Sequence, residues 1–119
     1  MPGMSIHVVD VTCGRVAVGM RVRIERIPLS GDESSVLADG VINAIGLLAS
    51  PALEGRLPPG RYRARFHVAD YYKKSGAMLA DIPFLDIVTY DFGIDDAEQH
   101  YHLPFKCTPW GYSCFRGGA

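Results

Sequence analysis

Polar and apolar residues alternate along most of the chain, most cleanly between positions 61 and 68. There Tyr62, Ala64, Phe66 and Val68 fall on one face, and Arg61, Arg63, Arg65 and His67 on the other. A repeat of two is that of a half-buried strand. The same repeat predicts strands over residues 5–11 and 20–27, joined by a turn at Thr12-Cys13-Gly14-Arg15. Pro28 and Gly31 mark a loop after the second. Residues 34–44 read as two short strands around Asp39-Gly40, a dipeptide that favours tight turns. Residues 46–60, rich in Leu, Pro and Gly, read as a loop. One to two turns of helix are predicted over 69–75, with Gly76 as C-cap. Strands follow over 84–91, 98–107 and 112–116, the last two joined by Thr108-Pro109-Trp110-Gly111. About seven or eight strands and one short helix, with no linker or repeat, predict one all-β domain over residues 1–119, a β-sandwich.

Composition narrows the function classes. The 119 residues are 48% hydrophobic and 21% charged, which excludes a disordered chain. Apolar runs fall short of the roughly 18 residues that span a bilayer, so no membrane segment is expected. Met1-Pro2-Gly3-Met4 carries no basic or long apolar region, so no signal peptide is expected. Twelve basic and thirteen acidic residues give a charge of -1, which argues against nucleic acid as a partner. Three cysteines, Cys13, Cys107 and Cys114, are odd in number and too few for a disulfide framework, which points to a reducing cytoplasm.

Histidines carry the chemistry. His100 and His102 stand two apart on a predicted strand and project from one face, about 7 Å apart. Such a pair suits proton transfer near neutral pH, because charging one disfavours charging the other. The spacing also fits an ordinary surface pair. A metal pair needs a third ligand, and no CxxC or HExxH cluster supplies one. His7 shares a strand face with Ser5, Val9 and Val11, which places it in the core or at an interface. The Arg61, Arg63, Arg65 row fits an anion site or, more simply, a solvated strand face, and Asp95-Asp96 with Glu98 a solvated turn. Cys114 has no neighbouring base and reads as an inert thiol.

Three segments carry a resemblance over nearly the whole chain. Met4-Ser5-Ile6-His7-Val8-Val9-Asp10 resembles the first strand of the transthyretin-like family. Gly60-Arg61-Tyr62 through Asp70-Tyr71-Tyr72-Lys73-Lys74 resembles its strand and short helix. His100-Tyr101-His102, then Thr108 to Ser113, then Phe115-Arg116-Gly117-Gly118, is similar to the C-terminal signature of the 5-hydroxyisourate hydrolase branch. The resemblance implies two four-stranded sheets, a short helix and a homotetramer built as a dimer of dimers. It also implies a site where dimers meet, and hydrolysis of a heterocyclic small molecule without metal or organic cofactor.

Carried over by position, the resemblance makes His7, His102 and Arg116 catalytic. His100, Val41, Phe115, Gly117 and Gly118 become substrate-binding positions. Three depart from the family pattern. Val41 follows Asp39-Gly40 where the family has arginine; Phe115 and Gly118 stand where it has tyrosine and serine, and Ala119 is added. A bidentate guanidinium bond to a planar anion is worth roughly 1.5 to 3 kcal/mol, and valine offers none. Three functions stay open: hydrolytic opening of a small cyclic amide or imide; ring opening, cyclisation or rearrangement of a less polar heterocycle in specialised metabolism; and non-catalytic small-molecule carriage.

Overall fold

The alternation at 61–68 becomes strand β5, Gly60–His67, with Tyr62, Ala64 and Phe66 buried and the arginines outward. The computed structural model describes residues 2–118. Before β5 come β1 (Gly3–Asp10), β2 (Arg15–Val16), β3 (Arg21–Ile27) and β4 (Ser35–Val41). After it come helix α1 (Val68–Lys74), β6 (Ile87–Ile94), β7 (His100–Thr108) and β8 (Gly111–Cys114). Two four-stranded sheets form, in the orders β2-β1-β7-β8 and β4-β3-β5-β6. This is the expected all-β sandwich with one short helix.

The two inner faces supply one core. Ile6, Val8, Leu103 and Phe105 come from the first sheet, and Val22, Ile24, Ala64 and Phe66 from the second. Phe66 and Phe105 stack across the sandwich with centroids 3.8 Å apart. Aromatic pairs of this kind add to the burial of their area.

Three predicted elements change. Residues 34–44 form one strand, not two. Gly40 pairs with Val22 inside the ladder, and a Cβ on it would stand 3.3 Å from Leu48. Asp39 is gripped by Arg21 at 3.0 and 2.8 Å. The dipeptide is therefore fixed by packing and an ion pair, not by a turn. β6 runs three residues later than predicted at each end, because it pairs with β5 along its whole length from Ile87 to Ile94, with Asp91 bonding Arg63 at 2.6 and 2.9 Å. Val68 opens the helix instead of closing the strand; Asp70 near its start and Lys73 and Lys74 near its end suit the helix dipole.

The helix is moored to β1 through one buried carboxylate. Asp10 is 4% exposed and accepts bonds from Tyr72 Oη at 2.6 Å, Tyr71 Oη at 2.9 Å, Thr12 Oγ1 at 2.6 Å and Thr12 N at 3.0 Å. Burial pushes its pKa upward, but the bonds from Thr12, Tyr72 and Tyr71 outweigh burial and hold it below the ordinary 3.8.

Candidate functional site

β1 and β7 pair in parallel although they lie at opposite ends of the chain. The register sets Gly3 beside His100, Ser5 beside His102 and His7 beside Pro104. Alternation turns Ile6, Val8, Leu103 and Phe105 into the core. Ser5, His7, His100 and His102 therefore share the outer face, half-buried. Ser5 Oγ lies 2.7 Å from His100 Nε2 and 2.6 Å from His102 Nδ1. His100 Nδ1 is 3.4 Å from the Pro2 carbonyl oxygen. The structure thus joins the two histidines through a residue to which sequence reasoning gave no site role.

His102 titrates below the ordinary 6.5. Burial is the main cause, followed by the like charges of His7 and His100, with a hydrogen bond to the Ser5 backbone opposing them. A neutral imidazole at pH 7 is what a general base requires.

A tight turn closes over His7. Asn43 Oδ1 accepts the N–H groups of Ile45 and Leu47 at 3.1 and 3.0 Å. The Gly46 carbonyl accepts Val8 N–H at 2.9 Å, and Leu47 bridges His7. Gly46 has φ +87, and a Cβ there would stand 2.6 Å from His7 Nε2. Only glycine lets the turn approach the imidazole so closely. A groove of about 290 Å³, lined by Ser5, Asn43, Ile45, Leu47 and Ser50 among others, adjoins the site. A larger hollow of about 580 Å³ lies between Leu29, Pro59, Arg61 and Ile94 and has no histidine or cysteine in its lining.

Val41 does not join this group. It lies on β4 in the other sheet, opposite Arg21, and is 58% exposed. Its assignment followed the Asp39-Gly40 dipeptide, which the fold uses inside a strand. The glycine turn beside the histidines is Ile45-Gly46-Leu47, and Leu47 is the residue that bridges His7. Arg116 also points elsewhere. Its guanidinium carbon lies 4.1 Å from the Tyr101 ring centroid, and its Nη2 donates to Gln99 Oε1 at 2.7 Å. Tyr101 projects from β7 on the face opposite His100 and His102, so the guanidinium is held away from them by stacking.

The tail still reaches the site through its backbone. Gly117 N–H donates to the His102 carbonyl at 2.7 Å, and a Cβ on Gly117 would stand 2.8 Å from the His102 ring. Phe115 is 47% exposed, and a Cβ on Gly118 would meet open space. Ala119 and Met1 lie outside the described residues. Among the described residues no three His, Cys, Asp or Glu side chains converge as a metal site. Cys13, Cys107 and Cys114 are free thiols, and burial pushes Cys107 and Cys114 up to about 11 and about 12.

The arrangement offers a neutral base, a second imidazole nearby and a hydroxyl tying the pair, beside an apolar wall. Comparisons with known proteins agree with a hydrolytic use. The model of the HIUase/Transthyretin family matches residues 4–117. A 5-hydroxyisourate hydrolase of Deinococcus radiodurans is 44% identical over 117 residues, 98% of this chain and 96% of that one. The solved Klebsiella pneumoniae 5-hydroxyisourate hydrolase superposes with a TM-score of 0.77 at 32% identity, covering 99% and 100% of the chains. An (S)-allantoin synthase superposes at 0.88 and 32% identity, covering 98% of this chain and 43% of its own.

Proposed function

Because the chain belongs to the HIUase/Transthyretin family, we propose that it hydrolyses 5-hydroxyisourate with a histidine-activated water. The observation that carries this is the Ser5–His100–His102 group beside His7, in a chain 44% identical to a hydrolase of that name. His102 takes a proton from water as its oxygen attacks the ring carbonyl. The C–N bond then breaks, and the departing nitrogen receives that proton. His7, diagonal to His102 across the β1–β7 pair, helps hold the water. Arg116, stacked on Tyr101, has no part in these proton transfers, and no cofactor is called for.

The test is direct. Absorbance of freshly generated 5-hydroxyisourate is followed with the protein and without it. Decay well above the spontaneous rate supports the reading; decay at the spontaneous rate refutes it.

A second reading has its own observation. Leu47 and Ile45 give the groove an apolar wall where a guanidinium would suit an anionic substrate. This favours a less polar heterocycle as the preferred substrate. Leu47→Arg is expected to raise kcat/KM on 5-hydroxyisourate about tenfold, the scale of one charge-assisted bond. An unchanged or lower value would show that Leu47 does not limit recognition of that substrate.

We also read residues 1–119 as one domain, since both sheets feed one core. The histidine face, with Val9 and Pro104 on it, suits coverage by a second dimer in a homotetramer, which would exclude water from the site. Light scattering should return a mass fourfold that of the 13.0 kDa chain, and a monomer mass would sink that arrangement. Among the described residues no helix is long and apolar enough to cross a membrane.

A further inference from the structure

We propose that Ser5 is a positioning residue whose hydroxyl dictates which ring nitrogen of His102 carries a proton. The inference deepens the hydrolase reading and rests on His102 acting as its base.

The argument follows the direction of each hydrogen bond. A carbonyl oxygen only accepts. His100 Nδ1, 3.4 Å from the Pro2 oxygen, therefore carries the proton and donates. A neutral imidazole has one N–H, so His100 Nε2 is an acceptor. Ser5 Oγ, 2.7 Å away, gives its single hydrogen to that nitrogen. The hydroxyl is then left with lone pairs toward His102 Nδ1 at 2.6 Å, so that nitrogen must hold a proton and donate it. His102 Nε2 is left with a free lone pair. The nitrogen an imidazole presents to its substrate is set by the bond its other nitrogen makes.

The chain of bonds has a second merit. When His102 takes a proton from water on Nε2, its Nδ1–H continues to donate to Ser5. No partner has to turn during the cycle. The charged and titratable groups around His102 are few. His7 faces it from β1 and His100 from β7 itself. The tail brings Gly117 backbone, with the Arg116 charge held at Tyr101.

The experiment uses the full chain with 15N-labelled histidine, with imidazole nitrogen shifts read by NMR near pH 7.5. His102 should be the Nδ1–H form in the wild type and in Ser5→Thr. It should move to the Nε2–H form in Ser5→Ala. In the hydrolysis assay, Ser5→Ala should lose about tenfold or more in kcat with KM little changed, and Ser5→Thr should recover most of it. An Nε2–H form in the wild type, or an unchanged form in Ser5→Ala, overturns the proposal. The spectra need no substrate. A wild type inert toward 5-hydroxyisourate would sink the hydrolase reading, while the tautomer result would still decide the role of Ser5.

Discussion

His102→Ala is expected to lower kcat/KM for 5-hydroxyisourate by about 10²- to 10⁴-fold, the usual worth of a positioned general base. The side chain is half-buried on the outer face of β7 and contributes nothing to the core, so the melting temperature should move by only a few degrees. The pH dependence of the wild type gives an independent check. With the His102 pKa below 6.5, the rate should climb as pH rises through that lower value and be flat at neutral pH. Protonation on the acid side removes the lone pair that accepts from water. In the alanine variant this acid limb should vanish along with most of the activity. Undiminished activity in the variant, or a limb that persists in it, would move the base to His7. A protein without activity in either form would favour the carrier function.

Asp10→Ala should destabilise the fold strongly. It deletes an acceptor that serves two tyrosine hydroxyls, a threonine hydroxyl and a backbone N–H. Tyr72 keeps a contact to the Cys107 carbonyl at 3.1 Å, but the half-buried Tyr71 hydroxyl loses its partner and the helix its mooring, while the exposed Thr12 can turn to water. A loss of about 3 kcal/mol or more is expected, or on the order of 10 °C in melting temperature at fixed protein concentration. The sign with pH follows from the lowered carboxylate pKa. The stabilisation is fully present above the unfolded value near 3.8 and is lost as pH falls through the lower folded value. The gap between wild type and variant should therefore be constant near neutrality and narrow only in strong acid. Denaturant titrations at several pH values would measure it. A gap that is small at pH 7, or that widens in acid, would mean that the tyrosines find other partners.

The parts of the molecule readable from sequence are those governed by local repeat. Arg61 to His67 sits in a sheet interior with neighbours on both sides, so every other residue is buried and the pattern shows. The two-residue strand at Arg15 and Val16 has no room for a repeat and went unseen. Asp39-Gly40 favours a turn by local preference, while Arg21 and Leu48 decide its place in a strand from a distance. The turn that does face His7 has Asn43 and Gly46 but no Asp-Gly to announce it. His7, His100 and His102 were legible through their shared strand faces. Ser5 was visible on the face of His7, but its partner at His102 depends on a parallel register joining residues 97 positions apart, which no local pattern encodes. The position of the Arg116 guanidinium was likewise unreadable, because it depends on Tyr101 meeting the tail in space.

That pairing of the first strand with the penultimate one also bears on how the protein is made. During synthesis β1 leaves the ribosome early, but its companion β7 is still untranslated. Until then β1 has β2 and the bridges from Leu47 and Glu54 beside it, and its β7 edge stays bare. A nascent chain stalled before residue 100 would hold no His100 or His102 and an unsatisfied central edge, the kind of exposed strand that recruits other chains. The site is thus complete only once β7 has been made, and slow decoding of the codons for β7 would lengthen the period in which aggregation competes with closure.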